Sequence, residues 1–65
     1  MDPLVVAIEQ QAAEAGVTMY AVLRSAGISH SVWSRWRRGV VAPNIVTARR
    51  IEAALADYIR GKTAA

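Results

Sequence analysis

The chain contains no cysteine and only one histidine, so it forms neither a disulfide nor a cysteine-based zinc site and cannot assemble a histidine cluster around a metal. Acidic residues are also scarce. There are five, and none lies between Glu14 and Glu52. They are scattered, and no Ser/His/Asp arrangement, glycine-rich phosphate loop or metal-ligand spacing accompanies them, so the chain reads as a non-enzyme without a cofactor. Although 54% of the residues are hydrophobic, no apolar run approaches the roughly 20 residues that a membrane-spanning helix needs. The start Met1-Asp2-Pro3-Leu4-Val5-Val6 lacks the positive charge of a secretory signal, and a cytoplasmic protein is expected. A chain of 65 residues makes at most one domain, and chains of this size bury only about 60% of their unfolded surface. An enclosed active site or a small-molecule effector pocket is therefore not expected.

What the acid-free stretch does hold is arginine: Arg24, Arg35, Arg37, Arg38, Arg49 and Arg50. If folded onto one face, such a block attracts polyanions, and nucleic acid is the first of these.

The pattern along the chain predicts an all-α fold, a compact bundle of four to five short helices. Asp2 is an N-cap with Pro3 at the first helical position, and Leu4, Val5, Ile8, Ala12 and Ala15 recur near a helical period as far as Gly16. Glu9, Gln10 and Glu14 are expected on the outer face of this helix. Thr18 caps a second helix of about two turns that stops at Gly27, and Ser29 caps a third, from His30 to about Arg38, that stops at Gly39. The segment Val40-Val41-Ala42-Pro43 reads as a loop. Asn44 then caps a last helix through about Arg60, with Ile45, Ala48, Ile51, Leu55 and Ile59 on one stripe and Gly61 closing it. A single domain over residues 1–61 with a frayed tail over 62–65 is expected.

Two short helices joined by a tight glycine turn, Thr18 to Gly39, have the form of a helix-turn-helix. Ile28 is placed to lock the pair. On a helical wheel at about 100° per residue, Val32, Trp33 and Trp36 share one sector, and Ser31, Ser34, Arg35 and Arg38 lie opposite, with His30 in the exposed first turn. The tryptophan spacing favours core packing over stacking on unpaired bases. Small residues let a helix sink into the DNA major groove, where an arginine can donate two hydrogen bonds to guanine. Arg35 is the first candidate for that role. His30 and Ser31, at the N-terminal end of the helix, and Ser34 are further base-reading candidates. Thr18, Ser29, Arg37 and Arg38 are candidate phosphate contacts.

The Ala26-Gly27-Ile28-Ser29 turn, the Trp33-Ser34-Arg35-Trp36-Arg37-Arg38-Gly39 helix end and the following Pro43 resemble the lambdoid phage Cro and repressor family, also called the xenobiotic-response-element family. The similarity extends over roughly residues 4 to 56. It implies a lambda-repressor-like fold and operator binding, with His30, Ser31 and Arg35 at base-contacting positions and Ser29, Ser34 and Arg38 at positions that meet phosphates or flank the bases. The sequence departs from the family pattern in three places. Leu23 stands where a small residue is usual, Met19 where a phosphate-binding glutamine is frequent, and the fourth helix runs on where repressors commonly add a fifth.

The function expected is that of a Cro-like transcriptional repressor, of phage or prophage type, which binds a double-stranded operator as a weak homodimer. The C-terminal helix, at Tyr58 and Ile59, is the expected seam. The alternatives are an antitoxin-like or adaptor module that keeps the fold but binds a protein, and nonspecific nucleic-acid binding through the same charges.

Overall fold

In the computed structural model, which describes residues 2–63, the chain folds into four helices: α1 (Pro3–Glu14), α2 (Met19–Ala26), α3 (His30–Arg37) and α4 (Ile45–Thr63). The protein is all-α, and no strand occurs among the described residues.

Each helix starts where a side chain replaces the missing intrahelical acceptor. Asp2 Oδ1 accepts from the Leu4 amide at 2.8 Å, Thr18 Oγ1 from Ala21 at 3.2 Å, Ser29 Oγ from Ser31 at 3.3 Å and Asn44 Oδ1 from Thr47 at 3.1 Å. The three shorter helices end alike. The amide after the last turn reaches back three residues and the next amide five, as in Gly27 N on Arg24 O at 3.2 Å and Ile28 N on Leu23 O at 2.9 Å. This Schellman closure requires a left-handed residue at its centre, and Gly27 takes φ +73 there. A side chain at that φ is strained by about 1–2 kcal/mol. Gly27→Ala should lower the unfolding free energy by that amount, read as a lower urea midpoint at unchanged slope, and an unchanged midpoint would remove the turn from the stabilising features.

The closures also feed the core. Val17 lies five residues after Ala12 and just before the Thr18 cap, so it seals the end of α1 and staples the start of α2 against Val22, and all three are buried. Ile28 has the same place between α2 and α3 and packs against the core. Val5, Ile8 and Ala12 of α1, Val22 and Leu23 of α2, Trp33 and Trp36 of α3, and Ala48, Ile51 and Leu55 of α4 complete it, and among the described residues no polar residue is buried. Leu23 is accommodated wholly within the core. α4 packs chiefly against α2 and more lightly against α1, and the outer side of α3 stays exposed.

Three features differ from the sequence reading. Ile45 is 58% exposed, because the first turn of α4 precedes the point where α2 covers the stripe. α4 does not stop at Gly61 but continues through Thr63; Lys62 follows that glycine, so no apolar residue is available to seal a left-handed closure. Residues 62 and 63 of the expected frayed tail are therefore helical, and positions 64 and 65 lie outside the described residues. The third difference concerns Glu9, which belongs to the site.

Candidate nucleic-acid interface

α3 presents two faces. Trp33 and Trp36 are turned inward, their rings 5.8 Å apart and tilted by 50°, a geometry that adds about 0.5–1.5 kcal/mol to the area they bury. Val32 is half-buried beside them. His30, Ser31, Arg35 and Arg38 are exposed, and Ser34 is half-buried at the edge of that face. The base-reading candidates thus share one side of one helix.

The N-termini of α2 and α3 lie next to each other. The Tyr20 and His30 rings approach to 6.3 Å, joining the first turns of the two helices. Thr18 and Ser29, the caps of those turns, are exposed, and each has its oxygen engaged by a backbone amide. Ser29 Oγ and Ser31 Oγ are 2.8 Å apart, so one hydroxyl donates to the other and a single proton of the pair remains free for a ligand. An open groove of about 510 Å³ beside α3 is lined by Met19, His30, Ser34 and Arg38 together with Glu9, Trp33 and Arg37.

The arginines divide by what holds them. Arg37 Nε pairs with Glu9 Oε2 at 2.8 Å, Arg49 pairs with Glu52 at 3.5 Å, and Arg60 pairs with Asp57. Arg50 Nη2 donates to Ala26 O at 3.2 Å, so it holds the end of α2 against α4 instead of facing a ligand. Among the described residues, Arg35, Arg38 and Arg24 have no ion-pair partner. Arg24 lines a shallow groove with Tyr20, Leu23, Ile28 and His30, at the margin of the same surface. The structure thereby leaves Arg35 and Arg38 unneutralised on the outer side of α3, while Glu9, the carboxylate in the adjoining groove, is paired with Arg37.

Arg37, a candidate phosphate contact, is turned the other way, toward α1. On the wheel it follows Trp33 by one turn, and Glu9 meets both: Glu9 Oε2 also accepts from Trp33 Nε1 at 3.3 Å. Glu9 is accordingly not on the outer face of α1. Its side chain is 26% exposed and sits at the α1–α3 seam. Sequence reasoning missed this link, although Glu9 is four residues after buried Val5 and so borders the apolar stripe. With Nε held, the two Nη nitrogens of Arg37 remain as donors.

Glu9→Ala should cost about 1–3 kcal/mol, because the Trp33 N–H loses its acceptor. Glu9→Gln keeps an acceptor and removes only a half-exposed ion pair, for which about 0.2–1 kcal/mol is the ordinary range. Urea midpoints of the two variants check this; equal losses would mean that the ion pair, not the indole hydrogen bond, ties α1 to α3.

Among the described residues no group of three or more His, Cys, Asp or Glu is placed to hold a metal, and no helix is long and apolar enough to cross a membrane. Compared with family models, curated proteins and solved structures, the chain matches none of them.

Proposed function

We propose that the chain is a sequence-specific double-stranded DNA-binding protein, a Cro-like transcriptional repressor of the bacterial cytoplasm that acts as a homodimer on a two-fold-related operator. One observation carries this reading. The exposed side of α3 combines His30, Ser31, Arg35 and Arg38 with no carboxylate partner, while Arg37, Arg49, Arg50 and Arg60 are engaged within the protein.

Each residue takes a role from its place. α3 enters the major groove by its N-terminal end, so His30 and Ser31 meet base edges first, Arg35 one turn on donates to guanine O6 and N7, and Ser34 allows close approach. Arg38, at the last turn, meets a phosphate. The N-terminal turns of α2 and α3, with the hydroxyls of Thr18 and Ser29, meet others, since helix N-termini favour anions. The Nη nitrogens of Arg37 complete this set from the α1 side. The resemblance to the Cro and repressor family supports the same assignment, and the unmatched comparisons leave it resting on the residues themselves.

Titration of an enriched and a scrambled duplex at several salt concentrations tests the proposal. A sequence preference of roughly 10³-fold or more, maintained as salt rises, is expected of a specific binder. Equal affinity for both duplexes with a steep salt slope would reduce the interaction to phosphate attraction alone.

A further inference from the structure

Among the described residues six large hydrophobic side chains are exposed, and four of them, Val40, Val41, Ile45 and Val46, fall within seven consecutive positions at the corner between α3 and α4. The backbone explains why. α3 ends in the same closure as α1 and α2, with Gly39 N on Trp36 O and Val40 N on Arg35 O, both at 3.1 Å. In this motif the residue after the glycine contacts the residue five before it. At the two other corners that pairing sets Val17 with Ala12 and Ile28 with Leu23, within or against the core. Val40 is instead paired with the exposed Arg35 and stays 64% exposed. The Asn44 cap then starts α4 so that Ile45 and Val46 also face outward, Val46 at 67% exposure.

Charge and size narrow the occupant. From Gly39 to Ala48 there is no charged residue, although Arg37 and Arg38 precede the stretch and Arg49 and Arg50 follow it. A surface that meets phosphates is basic, and this corner offers them no cation. Another copy of the chain carries the same net charge of +3, so it approaches closely only where positive charge is absent. An apolar corner without a cation, bordered by Asp2 beside Val41 and Pro43, can meet its own copy about a two-fold axis. Patches of roughly 300–600 Å² are the largest that typical monomers carry. Four aliphatic side chains fall short of the about 800 Å² per partner of a standard interface, which fits a weak, reversible pair.

We infer that the α3–α4 corner is a weak two-fold seam for a second copy of this chain. The inference rests on the DNA-binding reading for its purpose. Because Val40 lies three residues past the end of α3, pairing here brings the C-terminal ends of two recognition helices near one dyad. It replaces Tyr58 and Ile59 as the seam, since Ile59 packs against the core of its own chain.

Sedimentation equilibrium of the full chain without DNA, beside the Val46→Glu and Tyr58→Glu variants, tests the seam. A glutamate at position 46 occupies the first turn of α4, where a carboxylate suits the helix dipole, so this variant keeps its fold, and its thermal melt verifies that. The wild type should self-associate with a Kd on the order of 10–1,000 μM, Val46→Glu should weaken association at least about tenfold, and Tyr58→Glu should leave it within about twofold. A wild-type monomer at about 1 mM, or association lost in Tyr58→Glu and kept in Val46→Glu, overturns the inference. Binding of Val46→Glu to a single half-site duplex separates it from the DNA reading. Unchanged half-site affinity with loss of full-site cooperativity supports the seam, and reduced half-site affinity would place the corner on DNA and overturn it. A wild type that dimerises through this corner yet binds no duplex would leave the seam standing and end the repressor proposal.

Discussion

Arg35→Ala is expected to weaken binding to the preferred duplex by about 1–3 kcal/mol per half-site, roughly 5- to 150-fold, and to abolish the preference for one base pair in each half-site. The expectation follows from three properties of the side chain. Arg35 is exposed, it has no ion-pair partner among the described residues, and it lies one turn beyond Ser31 on the helix face opposite Trp33 and Trp36. An arginine free of internal partners has all five donors available, and its planar fork matches the two acceptors of guanine in the major groove. Affinity for scrambled DNA should change far less than affinity for the preferred duplex. Arg38→Ala should behave in the opposite manner, lowering affinity for all duplexes together and reducing the salt slope by about one unit. Competition titrations with each base pair substituted in turn check the pair. Uniform loss in Arg35→Ala across all sequences would reassign that residue to the phosphate backbone.

Trp33→Ala should remove a large share of the protein's stability. Truncating a buried tryptophan costs about 3–5 kcal/mol, and a domain of this length has about 3–10 kcal/mol in total at 0.05–0.15 kcal/mol per residue. Trp33 is 1% exposed, packs its ring at a tilt against Trp36 and donates to Glu9, so one truncation removes a ring contact, opens a cavity and leaves a carboxylate without its indole partner. Trp33→Phe keeps most of the volume and should retain a cooperative melt at reduced temperature. Far-UV circular dichroism distinguishes the two. A Trp33→Ala variant melting within a few degrees of the wild type would show that α3 is not anchored through this ring, and the reading face would lose its rigid support.

The parts of this fold that were legible in the sequence are those governed by local chemistry. Asp2, Thr18, Ser29 and Asn44 each cap the helix expected of them, because an N-cap needs only a short acceptor beside two or three free amides. Trp33 and Trp36 are core residues because their spacing puts them on one side of a helix whose other side is polar. The features that escaped are tertiary. Ile45 keeps the apolar period of α4, yet no other helix lies over it, and periodicity within one helix does not report where its neighbour ends. Glu9 reads as a surface acid until α3 is brought alongside, when it becomes the acceptor for one core indole and the partner of Arg37. The same limit applies to the arginines. Six of them form one basic block in the sequence, but Arg50 is drawn to the Ala26 carbonyl and Arg37 to α1, and only the fold separates those from Arg35 and Arg38.

That separation concentrates the functional reading on a single face of α3. Selection of bound duplexes from a random pool, with the full chain at low and at physiological salt, tests it most directly. A short motif containing an invariant G·C pair, repeated about a two-fold axis and absent from a parallel selection with Arg35→Ala, is the expected result. Failure to retain any duplex at low salt, or retention without enrichment of a motif, would contradict base reading by this face and leave a protein-binding or nonspecific role for its arginines.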